Sequence, residues 1–129
     1  MSDIKLNSFR AWWLASRPKT LAGAAAPVLV GGAFAFSVMK FLMFKGESLA
    51  VQSLEAVSGL LFNLLVPFGL CLLFALLMQI DANFVNDYFD FKKGADREDR
   101  LGPERACAQG WISPEAMRTG IIITTALSC

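Results

Sequence analysis

The stretch LCLLFALLMQIDANFVNDYFDFKKGAD, residues 70–96, decides the fold. It begins as unbroken hydrocarbon and turns at Asp81 into a run of acids and amides. Read backwards from there, no charge falls between Ala56 and Ile80. A helix rising about 1.5 Å per residue over that run exceeds the roughly 30 Å hydrocarbon core of a bilayer. It is expected to tilt, or to dip its end into a protein-lined cavity. A second uncharged run extends from Leu21 to Met39. The chain has 129 residues, 55% of them hydrophobic, and its charges are segregated rather than interleaved as in a soluble domain. The pattern predicts an all-α, polytopic transmembrane helix bundle.

Working outward, Leu6, Phe9, Trp12 and Trp13 recur at helical spacing and predict an interfacial helix over residues 6–16, since Trp favours the headgroup level. Pro18 favours a fresh helix start. The first span, residues 20–39, carries Gly23, Ala24, Ala25, Ala26, Gly31, Gly32 and Ala33, small residues that let helix backbones approach closely. Its length, and the span that follows, set it apart from a cleaved signal peptide. The second span covers residues 56–88 and a cytoplasmic loop residues 89–113. Ser113-Pro114-Glu115 then reads as a cap, a first-turn proline and a carboxylate at the positive end of the dipole. A third span starts from residue 114, and the chain reads as the N-terminal part of one transmembrane domain.

Four basic residues precede the first span (Lys5, Arg10, Arg17, Lys19) and six lie from Lys92 to Arg118, against Lys40 and Lys45 in the first connection. The positive-inside rule places the N-terminus and the motif loop of a multi-pass protein in the cytoplasm. Histidine is absent, which excludes His bases, nucleophiles and metal ligands. Cys71, Cys107 and Cys129 form no C-x-x-C pair and read as packing residues.

On a helical wheel Gln79, Asn83, Asn86 and Asp90 fall within about 60° of one another, with Asp87 at the edge. Polar groups at the end of an apolar helix face a bundle interior or cavity, because lipid exposure is costly. Gly94 can break the helix and turn Asp96 back toward Asp90. These oxygen donors lie close in sequence to Lys92, Lys93, Arg97, Arg100 and Arg105. Magnesium takes one or two carboxylates and fills its shell with water and substrate phosphate, while arginine can grip phosphate bidentately. The combination suggests a lipid diphosphate as substrate. Asp81 lies off this face, and an ion pair with Arg17 or Lys19 is expected for it.

Asn86-Asp87-Tyr88-Phe89-Asp90 with Lys92-Lys93-Gly94-Ala95-Asp96 resembles the first aspartate-rich motif of the UbiA superfamily of intramembrane prenyltransferases. The Gly94–Asp96 spacing, Arg17-Pro18-Lys19-Thr20 and Arg100-Leu101-Gly102-Pro103-Glu104-Arg105 resemble its menaquinone branch, the 1,4-dihydroxy-2-naphthoate polyprenyltransferases. Asp81 departs from that branch, where a small or apolar residue is expected. The resemblance implies a bundle of about nine helices with a second aspartate-rich motif, absent from these 129 residues, so the fragment alone is expected to be inactive. It implies Mg2+ as cofactor, held with the diphosphate by the catalytic and metal-binding Asn86, Asp90 and Asp96. Diphosphate contacts fall to Lys93, Arg100 and Arg105. The implied partners are a polyprenyl diphosphate, 1,4-dihydroxy-2-naphthoate and the lipid bilayer, with no nucleic acid, and the implied product is demethylmenaquinone. Two alternatives remain open: a UbiA-type enzyme with another aromatic acceptor, or a non-enzymatic membrane module or piece of a cation transporter.

Overall fold

A computed structural model of the chain describes residues 4–45, 54–94 and 104–129. The described residues are helical, with no strand, in four elements: α1 (Phe9–Ala15), α2 (Pro18–Lys45), α3 (Leu54–Lys92) and α4 (Pro114–Ser128). The boundaries follow local chemistry. Ser8 caps α1 by accepting from the Ala11 amide at 3.3 Å. Between α1 and α2, Arg17 adopts a left-handed φ of 52°, a conformation disfavoured for a side chain with a Cβ. Pro18 then supplies the first residue of α2 without needing an amide hydrogen. At α4, Ser113 accepts from the Ala116 amide at 3.2 Å, with Pro114 and Glu115 in the first turn.

The residues separate into two compact units. One comprises residues 23–75. Within it a Cβ added at Gly32 would run into the Phe68 ring, so glycine there lets α2 come close to α3. Phe34, Phe41, Phe62, Leu65 and Leu70 are exposed on these helices. Segments Pro18–Phe41 and Phe62–Lys92 are each long and apolar enough to cross a membrane. Outward-facing aromatic and aliphatic side chains on helices of that length are stable against lipid rather than water. The protein is a membrane protein.

The other unit joins residues 1–22 to 76–129. Its core is small: Ala11, Ala15, Phe84, Ala106, Cys107, Ile112 and Met117 are buried together. Trp12 meets Phe84 edge-on, with ring centroids 5.3 Å apart, and a Cβ added at Gly120 would lie 2.7 Å from the Trp12 ring. Asn7 ties the N-terminal segment to the lead-in of α4. Its amide donates to Trp111 O at 2.8 Å, and its side-chain oxygen accepts from the Ser113 amide at 3.1 Å. The polar end of α3 is thus packed on one side against α1, the residues 104–113 and α4.

Candidate functional site

The last two turns of α3 carry two acids in different surroundings. Asp87 is 1% exposed and accepts from two consecutive backbone amides, Ala106 at 2.7 Å and Cys107 at 3.0 Å, one on each carboxylate oxygen. Asp90 is half-buried, and its Oδ2 accepts from the Arg105 guanidinium, itself buried. Residues 105–112 are drawn into a tight turn. The Gln109 amide donates to Arg105 O at 3.0 Å, the Gly110 amide to Cys107 O at 3.1 Å, and the Trp111 amide to Ala106 O at 2.9 Å. Gly110 makes the reversal at a φ of 68°, where a glycine carries no steric cost. Asp90 and Arg105, both singled out from sequence, are brought together across fifteen residues.

Other members of the wheel stripe do different work. Asn83 is buried and donates to Ser16 O at 2.8 Å and to Thr20 Oγ1 at 3.0 Å. Its oxygen accepts from Gln79 Nε2 at 3.4 Å. Asn83, read as part of a ligand face, therefore fastens α3 to the α1–α2 junction. The wheel angle is right, but the space in front of Asn83 is filled by backbone. Asn86, one turn nearer the end of α3, is exposed, as is Lys93. Lys93 and Gly94 close the helix by donating to Phe89 O and Phe91 O, with Gly94 left-handed at φ 64°. Asp96 and Arg100 lie outside the described residues.

The expected ion pair of Asp81 with Arg17 or Lys19 is corrected. Asp81 Oδ1 accepts from the hydroxyls of Thr124 and, at 3.1 Å, Thr125, both on α4. Hydroxyls one residue apart on a helix reach a carboxylate with no buried cation and its desolvation cost. Sequence reasoning missed this partner because α4 lies more than forty residues away.

A cavity of about 560 Å³ opens beside the α1–α2 junction. Arg10, Arg17, Lys19, Thr20, Glu104 and Trp111 are among its lining residues. Its three cations outnumber its one acid, Glu104, and Trp111 adds an indole, a lining that suits an anion with an apolar or aromatic body.

No protein-family model and no solved structure matches the chain. Curated proteins do. It is 35% identical over 129 residues to the 1,4-dihydroxy-2-naphthoate octaprenyltransferase of Escherichia coli, covering 100% of the chain and 35% of that protein. It is 33% identical over 117 residues to the enzyme of the same name in Haemophilus influenzae, covering 91% of the chain and 32% of that protein. It is 28% identical over 122 residues to the one in Mycobacterium tuberculosis. The chain resembles the UbiA-type 1,4-dihydroxy-2-naphthoate prenyltransferases. It spans about a third of the length of these relatives.

The magnesium that this prenyltransferase resemblance implies can be tested against the described donors. Asn86 and Asp90 are four residues apart on α3 and so share a face. Both offer hard oxygens, the donor type magnesium takes. Among the described residues no three acid, His or Cys side chains cluster, so further positions would be completed by water and substrate phosphate. The donors fit magnesium held jointly with a diphosphate, and do not fit a cage built from described protein groups alone.

Proposed function

We propose that the full-length protein is a magnesium-dependent prenyltransferase that moves a polyprenyl group from its diphosphate onto 1,4-dihydroxy-2-naphthoate, in menaquinone synthesis. The observation that carries this reading is the Asp90–Arg105 pair at the polar end of a membrane-length helix. It sits in a chain similar throughout to 1,4-dihydroxy-2-naphthoate octaprenyltransferases.

In this reading Asn86 and Asp90, with Asp96, hold magnesium. When bound, the ion supplies Lewis-acid stabilisation of the diphosphate leaving group as the allylic C–O bond breaks. Arg105 turns its fixed fork of donors toward phosphate oxygens, with Lys93 and Arg100 adding positive charge. The cation-lined cavity beside Arg17 suits the carboxylate and ring of the naphthoate. The ring carbon bearing that carboxylate attacks the allylic carbon, and the carboxylate leaves as carbon dioxide. Apolar helix walls keep water from the carbocation.

In this reading the protein lies in the inner membrane, and the Lys/Arg asymmetry supports a cytoplasmic N-terminus and motif loop. In an otherwise cysteine-free protein, Gln109→Cys should react with an impermeant thiol reagent only from the cytoplasmic side and Ser48→Cys only from outside. The opposite pattern would overturn the orientation.

The activity test uses purified full-length protein, a polyprenyl diphosphate, and either 1,4-dihydroxy-2-naphthoate or 4-hydroxybenzoate. Prenylated product with the naphthoate, stopped by chelator and restored by magnesium, is the expected result. Product with 4-hydroxybenzoate alone would move the protein to another branch, and no product with either would end the reading.

A further inference from the structure

The sequence places two acids three residues apart at the end of α3, and the structure gives them opposite tasks. Asp90 meets a side chain. Asp87 meets only backbone: its two oxygens take the amides of Ala106 and Cys107 at 2.7 and 3.0 Å, in a 1% exposed position. A buried carboxylate is costly unless each oxygen is hydrogen-bonded, and two backbone amides on an anion make strong, charge-assisted bonds. Those amides follow directly on Arg105. Residues three apart on a helix lie on neighbouring parts of one face, so a single turn of α3 holds the 105–107 segment twice. Asp87 fixes its backbone and Asp90 receives its side chain.

We propose that Asp87 is a positioning residue, whose carboxylate locks the Ala106–Cys107 backbone so that the Arg105 guanidinium is delivered to Asp90. An arginine side chain loses much rotamer freedom when held in one place. Anchoring its backbone removes part of that ordering from the moment of substrate binding, which is preorganisation. The turn bonds from Gln109, Gly110 and Trp111 stiffen the segment but contact neither acid. Asp87 connects this turn's backbone to the helix bearing Asp90. The kinetic consequence rests on the diphosphate reading above; the structural consequence does not.

Cys107 supplies a reporter, because it is buried and its own amide is one of the two that Asp87 holds. The test uses full-length protein with every other cysteine replaced. In the unsubstituted background, Cys107 should react slowly with a maleimide. Asp87→Asn places an amide NH2 against a backbone N–H and should speed labelling by about tenfold or more through local opening. Arg105→Ala should leave labelling within about twofold of the parent, because the backbone lock precedes the side chain it delivers. In the prenyl-transfer assay, Asp87→Asn and Arg105→Ala should each lower kcat/KM. The double variant should be no slower than Arg105→Ala, since both remove the same contact.

Unchanged labelling in a folded Asp87→Asn protein would overturn the proposal, as would multiplying losses in the double variant, which would mark Asp87 as acting on its own. If Asp87→Asn does not fold, the Arg105→Ala labelling decides: a freely reactive Cys107 there would reverse the order of cause and sink the idea. Absence of prenyl transfer in the parent protein would remove the functional reading, while the labelling would still decide whether the lock exists.

Discussion

Asn83 of α3 donates its side-chain amide to the carbonyl oxygen of Ser16, 67 residues earlier, at 2.8 Å. Ser16 closes α1 and precedes the left-handed Arg17, so this bond fixes the angle at which the chain enters α2. Asn83→Ala leaves a buried carbonyl unsatisfied and should lower stability by about 1–3 kcal/mol, read as a fall in the melting temperature of the full-length protein in detergent. Asn83→Asp separates the two readings of this residue. Against a carbonyl a carboxylate is worse than alanine, whereas at a metal ligand it would be tolerated.

Asp81 and Thr124 form a second tie, from α3 to α4. Asp81→Asn retains an acceptor and should be mild, while Asp81→Leu should be clearly destabilising. A double-mutant cycle with Thr124→Val should return a coupling of about 0.5–1.5 kcal/mol. The same cycle with Arg17→Ala should return none within error. A large Arg17 coupling with no Thr124 coupling would restore the ion pair and contradict the contact described.

Gly120 is held to its size by Trp12, whose ring would lie 2.7 Å from an added Cβ. Trp12 is in turn braced edge-on by Phe84, so it has little room to yield. Gly120→Ala should therefore cost about 1–3 kcal/mol despite alanine's better helix propensity. Combining it with Trp12→Leu should cost less than the sum of the two. A stabilised Gly120→Ala protein would show that the indole moves aside freely.

Local signals and long-range partners explain what could be read from the sequence. The spans came from charge-free runs, because a membrane-length helix announces itself by composition alone. The start of α4 was legible in Ser113-Pro114-Glu115, since capping is settled within a few residues. Asp90 and Arg105 were legible as site residues through a motif, one as a metal ligand and the other as a phosphate contact, but their pairing with each other was not. The wheel could say that Gln79 and Asn83 share a face, but not that the Ser16 carbonyl fills the space before it. Asp87 stood at the edge of the stripe, and nothing in its neighbours points to the amides of Ala106 and Cys107. Backbone acceptors and donors carry no residue identity, so such contacts leave no sequence signature. The same holds for Asp81, whose hydroxyl partners are ordinary threonines of a distant helix.

On the proposed function, Asp90 serves a diphosphate site and does more than pack against Arg105. The most direct test of that role is Asp90→Asn in the full-length protein, because asparagine keeps an acceptor for Arg105 while removing the anion magnesium needs. Measured as magnesium-dependent transfer from a polyprenyl diphosphate to 1,4-dihydroxy-2-naphthoate, kcat/KM should fall by about a hundredfold or more, equivalent to roughly 2.7 kcal/mol of lost transition-state stabilisation. The melting temperature should stay close to that of the parent. Near-parental kcat/KM in a properly folded Asp90→Asn protein would contradict the account.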